Sequence, residues 1–338
     1  LTPSVSGQFS VPTPAAPIEV RGLSKTFGTT DVVDDLSFDV PAGSVTVLLG
    51  PVGAGKTTIL EIVLGLTTPT SGSATVAGSS IRALRSPART VGAVLDSAGT
   101  HPRRTALDHL QIYATAIGMP PGRARHVLAM VGLASAGAHR SATFSPGMHR
   151  RLALATAMLG DPDILVLDEP THGLDHVELT WLRRFLRTFA DSGRTVLISS
   201  RAPREVDTIV DNVVMISAGT LVYQGSMNDL RRSRHSRLLV ACSNPPLLAT
   251  ALAARGIVDA VATPDGRLAI GGTDVNGLLP VAAAAGVTIF EITDEKADLE
   301  HLFLTMTTGQ HSRVPERPRT PDTGYFGPAA YGPSGGRR

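Results

Sequence analysis

The 338-residue chain carries a single cysteine, Cys242, so it cannot close an internal disulfide, and with so few candidate ligands no structural zinc site is expected. A lone thiol fits a reducing compartment. Aromatic residues make up only 4% of the chain and the formal net charge is only +2. That leaves neither a base-stacking platform nor a basic field, and no nucleic-acid partner is expected. No run approaches the eighteen or so uninterrupted apolar residues of a membrane-spanning helix, because Asp, Arg, Gly or Pro breaks every candidate. Residues 1–17, LTPSVSGQFSVPTPAAP, lack the basic start and apolar middle of a secretory signal, so the expected location is the cytoplasm. Lysine is also scarce, occurring only as Lys25, Lys56 and Lys296.

An apolar fraction of 42% with 18% charged residues is ordinary for a chain with real cores, and the length favours two folded units. Residues 1–17 and the Pro-, Gly- and Arg-rich stretch 308–338 are expected to be disordered. Between them, residues 18–232 alternate short apolar runs (SVTVLLG, TVGAVLD, DILVLDE, RTVLISS, NVVMISA) with helical stretches such as Arg150 to Leu159 and Val177 to Ala190. The pattern predicts an α/β fold with a largely parallel sheet. After the charged bridge RRSRHSR, residues 236–307 read as strand, helix, strand, strand, helix, strand, the order of a small ferredoxin-like α+β domain. Pro280 is at odds with an unbroken second helix from about Val275, and a helix starting at Pro280 itself is the alternative. A short amphipathic stretch, Ala297 to Met306, is expected to close this unit.

The most informative segment is GPVGAGKTT, which comprises Gly50, Pro51, Val52, Gly53, Ala54, Gly55, Lys56, Thr57 and Thr58. It lies between an apolar run and a helical one. Three glycines let the backbone wrap a phosphate, and the following helix offers the positive end of its dipole. Lys56 is placed to reach the β- and γ-phosphates of a nucleotide, with the Thr57 hydroxyl on Mg²⁺. A second element, Ile164 to Leu167 followed by Asp168 and Glu169, describes a buried strand whose acidic tip emerges at a metal site. Asp168 suits Mg²⁺ as a hard oxygen donor, and Glu169 is placed to polarise the attacking water.

Between these elements, FSPGMHRR opens a helix. With both phosphate elements present, the chain resembles the ATP-binding subunits of ABC transporters, over about Ile18 to Gln224. The resemblance implies a P-loop NTPase fold and a dimer in which Ser145 and Gly147, at a helix N-terminus, grip the γ-phosphate held by the opposite subunit. It makes Asp175 an aspartate that communicates across the dimer, and Phe27 the aromatic ring that stacks on adenine. The phrase GDPDILVLDEPTHGLD and the ending DLEHLFL are most similar to drug- and antibiotic-exporting or ABC-2 type subunits. That implies ATP and Mg²⁺ as cofactors, a membrane-spanning permease on a separate chain, and a peripheral place on the cytoplasmic face of the membrane.

Four positions depart from the family pattern. Val52 replaces a common Asn and Pro146 a common Gly; Asp96 stands where a glutamine touches Mg²⁺ and water; Arg201 stands where a switch histidine meets the γ-phosphate. Asp96 retains an oxygen ligand for Mg²⁺ but adds negative charge. Arg201 cannot shuttle a proton, yet it can hold phosphate charge as an arginine finger does. Because their added charges are opposite, Asp96 and Arg201 are expected to compensate one another. The leading expectation is an energy-coupling ATPase, slowed by these two residues. The alternatives are a hydrolysis-impaired regulatory subunit and a soluble ABC-type protein acting on ribosomes or DNA. The latter typically carries two nucleotide domains or a long coiled-coil insertion, and neither occurs here.

Overall fold

A computed structural model describes residues 16–95, 100–233, 237–263 and 265–295, together with Leu299 and Phe303. The chain enters through β1 (Ile18–Phe27) and β2 (Thr30–Val40), then runs through β3 (Val45–Leu49), α1 (Lys56–Val63) and β4 (Ser71–Val76). A one-turn α2 (Pro87–Thr90) leads to β5 (Val91–Val94) and three helices, α3 (Ala106–Ala116), α4 (Gly122–Met130) and α5 (Pro146–Ala157). Then follow β6 (Ile164–Leu167), α6 (His176–Asp191), β7 (Thr195–Ser200), α7 (Pro203–Val206), β8 (Asn212–Ser217), β9 (Thr220–Ser226) and α8 (Met227–Ser233). The last segment contains β10 (Arg237–Cys242), α9 (Pro245–Ala253), β11 (Ala260–Ala262), β12 (Leu268–Ile270), α10 (Val275–Ala284) and β13 (Ile289–Glu295).

The central sheet has the order β5-β6-β7-β3-β8-β9, parallel from β5 through β8 with β9 antiparallel at the edge. Its inner strands are continuous apolar runs because both faces are covered. Side chains alternate between two cores. Val45, Val47, Leu49, Leu165, Leu167, Val196, Ile198, Val213 and Met215 face helices α3 to α6. Leu48, Ile164, Val166, Leu197, Val214 and Ile216 face α1 and a second sheet. That second sheet, β2-β1-β4, is antiparallel and contributes Ile18, Val20, Leu23, Leu36, Phe38 and Val40 to the shared core. It was not expected as a separate layer. Register shifts interrupt its pairing between Val20 and Leu23 and again near Lys25, so the period-two signal is broken in the sequence.

A third sheet, β11-β12-β10-β13, is antiparallel throughout, and its core takes Leu248 and Leu252 from α9 with Leu278 and Val281 from α10. The second helix of this region has the expected start. Helix α10 starts at Val275 rather than at the alternative Pro280, and there the Asp274 side chain accepts a hydrogen bond from the Gly277 backbone at 2.8 Å. Pro280 then lies inside the helix. The lost backbone bond is outweighed by the cap and by burial of Leu278, Val281 and Ala282 on one face. One expectation for this region needs correction: the two described residues of the 297–306 stretch do not close the small unit, since Leu299 and Phe303, both buried, join the core formed by α3 to α6 and the central sheet. Most of that stretch, residues 1–15, the tail from 304 onward and Asp96 lie outside the described residues.

Candidate nucleotide site

At the end of β3 the backbone turns back on itself through residues 50–55. Gly53 and Gly55 adopt φ of +82° and +94°, the left-handed region that side chains disfavour. A Cβ on Gly55 would meet the Val32 carbonyl at 2.7 Å, and one on Gly50 would meet the Ile216 carbonyl at 2.8 Å. The loop therefore needs glycine at both positions, for torsion and close approach at Gly55 and for close approach at Gly50. Helix α1 begins directly after it with no side-chain cap, leaving the start of the helix suited to an anion. Lys56 lies buried under the loop, and its Nζ donates to the carbonyls of Gly50 at 2.8 Å and Pro51 at 3.0 Å. Burial pushes the Lys56 ammonium below the ordinary lysine value, and nearby Glu169 opposes that shift.

Two strands over from β3, β6 brings its acidic tip to the same edge. Asp168 is buried; its Oδ2 accepts from Thr57 Oγ1 at 2.7 Å and its Oδ1 accepts from Ser199 Oγ. Its backbone N–H donates to the Val94 carbonyl at 2.8 Å, fixing the strand tip. Glu169 turns away with φ of 43°, and its backbone N–H donates to Ser199 Oγ at 2.8 Å. A non-glycine residue in that region is uncommon and here sits at the proposed reaction centre. Ser199 thus orients both carboxylate residues. The sequence reading did not single it out, although a buried serine within the apolar strand TVLISS was the available signal.

Glu169 meets a cation at each oxygen: Lys56 Nζ lies 3.4 Å from Oε1 and Arg201 Nε 3.4 Å from Oε2. The Arg201 Nη2 also contacts His172 Nδ1 at 2.6 Å. A cavity of about 400 Å³ is lined by Val52, Gly53, Gly55, Lys56, Thr57, Thr58, Asp168, Glu169 and Arg201, with Val32 and His172 as two further walls that the sequence did not reveal. Gly50 and Pro51 sit behind it as the carbonyls that hold Lys56, and Ala54 is buried in the core below.

The remaining expected residues lie elsewhere. Phe27, half exposed, ends β1, with Lys25 Nζ 4.7 Å from its ring centre. Ser145 caps α5 and accepts from the Met148 backbone at 3.1 Å, with Pro146 in the comfortable first turn. Asp175 caps α6 through a reciprocal box with Glu178. The starts of α5 and α6 touch, since a Cβ built on Gly147 would fall on the Glu178 carboxylate. None of these four lines the cavity. Arg201 has Glu169 and His172 as partners, and the expected Asp96 partner is outside the described residues.

Thr57 Oγ1 and Asp168 Oδ2, in mutual contact, form a pair of hard oxygen donors without a histidine or thiol between them. Among the described residues no group of three His, Cys, Asp or Glu gathers to cage a metal. Two protein oxygens fit Mg²⁺, which keeps its other positions for water and phosphate, better than they fit a softer ion.

Comparison with known proteins agrees with this geometry. The ABC transporter family model matches residues 33–172. The lantibiotic transport ATP-binding protein SrtF of Streptococcus pyogenes is 32% identical over 215 residues, 62% of this chain and 93% of that one. The Nod factor export ATP-binding protein I of Burkholderia lata is 39% identical over 65% of this chain and 74% of its own length. The bacitracin transport ATP-binding protein BcrA of Enterococcus faecalis is 29% identical over 86% of this chain and 96% of its own. Among solved structures, an ATP-binding subunit of an ABC transporter superposes with a TM-score of 0.58 at 25% identity, covering 64% of this chain and 93% of that one. A dimeric, post-hydrolysis ATP-binding cassette bound to ADP and Pi shares the fold, with a TM-score of 0.57 at 20% identity over 62% of this chain and 98% of its own. With the phosphate loop, the acidic strand tip and the doubly covered sheet, these likenesses establish that the chain belongs to the ATP-binding proteins of ABC transporters.

Proposed function

We propose that this ABC ATPase binds Mg-ATP between its phosphate loop and the β6 tip and hydrolyses it with Glu169, driving an exporter whose membrane-spanning half is a separate chain. The observation that carries this reading is the convergence of Lys56, Thr57, Asp168 and Glu169 on one cavity from two strands of one parallel sheet. In that arrangement the loop amides and Lys56 bind the β- and γ-phosphates. Thr57 and Asp168 hold Mg²⁺, which neutralises phosphate charge when bound. Glu169 takes a proton from the attacking water as its oxygen adds to the γ-phosphorus, and the bond to the bridging oxygen breaks to leave ADP and phosphate. Arg201 supplies positive charge beside that phosphate. Transport as the task is supported by the names of the lantibiotic and bacitracin transport relatives, and export by that of the Nod factor relative; a separate membrane-spanning partner fits a chain in which, among the described residues, no helix is long and apolar enough to cross a membrane.

Phe27 stacks on adenine in this reading; its half-exposed ring at the end of β1 supports that role. Ser145, Gly147 and Asp175 act on the nucleotide of a second copy, supported by their place at two adjoining helix starts away from the chain's own cavity. One observation favours a second reading, a hydrolysis-impaired regulator: both Glu169 oxygens are engaged by cations. The turnover of the purified chain separates the two readings. Titration of Lys56→Ala with ATP tests the site itself: binding is lost if the cavity holds the triphosphate, and unchanged affinity refutes the assignment.

A further inference from the structure

We propose that His172 is a positioning residue for Arg201, holding its guanidinium beside Glu169. The proposal rests on the ATPase reading above and adds a residue to it. Arg201, just after β7, and His172, from the loop after β6, line the same cavity. Arg201 Nη2 donates to His172 Nδ1 at 2.6 Å and lies 3.2 Å from Nε2, while Nε of the same guanidinium lies 3.4 Å from Glu169 Oε2. The guanidinium therefore spans the imidazole and the reacting carboxylate.

An arginine whose side chain is 42% exposed has many rotamers open to it, and a fixed acceptor selects one. The backbone that carries the His172 ring is itself fixed. Its backbone N–H donates to the Glu169 carbonyl at 3.1 Å, and its carbonyl accepts from Arg150 Nη2 of α5 at 3.0 Å. His172 thereby sets where Arg201 places its charge relative to Glu169 and the γ-phosphate.

The test is a set of steady-state ATPase measurements on the full chain. His172→Ala lowers kcat about tenfold or more while KM for ATP stays within about twofold, because the displaced group acts on the reacting phosphate rather than on ground-state binding. His172→Asn, whose Oδ1 can stand in for Nδ1, restores most of the rate. In an Arg201→His background the cost of His172→Ala shrinks to below about twofold, since there is no guanidinium left to position. Equal losses in the two backgrounds, an Asn variant no better than Ala, or no loss at all would each overturn the proposal. Lys56→Ala runs alongside. If it is inactive, a failure at His172 counts against the positioning role alone; if it turns over like the wild type, the ATPase reading falls and takes this proposal with it.

Discussion

Lys56 gives up most of its hydration to lie under the loop, and two backbone carbonyls with one carboxylate replace the lost water. Its charge is held ready for phosphate at a cost in desolvation, which is what lowers its proton affinity. Ser199 makes a different kind of contribution. It donates to Asp168 Oδ1 and accepts from the Glu169 backbone, so Ser199→Ala leaves a buried carboxylate one partner short. Expected effects are a stability loss of about 1 to 3 kcal/mol by denaturant titration and a slower ATPase with little change in nucleotide affinity. Unchanged stability and rate would remove Ser199 from the account. Lys56, Asp168 and Glu169 were legible in the sequence because their spacing and setting follow from phosphate chemistry. Ser199 and His172 were not, since each earns its place from a three-dimensional neighbour rather than from a local pattern.

At the scale of elements, α3 to α6 form the layer that covers one face of the central sheet. Within it His109 of α3 is buried, with its Nε2 3.2 Å from Thr156 Oγ1 of α5. Burial, aided by the charge of Arg104, pushes His109 below the ordinary value of 6.5. The folded state then binds fewer protons there than the unfolded chain does. Its contribution is intact above about pH 6.5 and is lost as pH falls through the folded value. Chemical denaturation between pH 7.5 and 5.5 is expected to show falling stability, with a shallower slope in His109→Gln; identical slopes would contradict the buried neutral ring. The five apolar runs of the central sheet were readable because strands buried on both faces carry long unbroken apolar segments. The layer β2-β1-β4 was not, because one of its faces is polar and its register shifts at Val20 and Lys25 scramble the alternation. The helix expected from about Val275 forms despite Pro280, because a cap at Asp274 and a buried face outweigh the local rule about proline.

For the whole molecule, Leu299 and Phe303 link the chain beyond β13 to the core of the ATPase body. Phe303→Ala is expected to cost about 3 kcal/mol, read as a lower melting temperature of that body. A variant that melts like the wild type would show that the link carries no stability. The nucleotide site, by contrast, is assembled from α1 and the ends of β3, β6 and β7 of the central sheet, whereas Ser145, Gly147 and Asp175, proposed to act across a dimer, lie outside its lining. The central claim is that Glu169 activates the water while Lys56, Thr57 and Asp168 hold Mg-ATP. It is tested most directly by incubating Glu169→Gln with Mg-ATP and measuring both phosphate release and the nucleotide that stays bound. Phosphate release is expected to slow roughly 100-fold or more, with intact ATP recovered from the protein; release at the wild-type rate would place the base elsewhere.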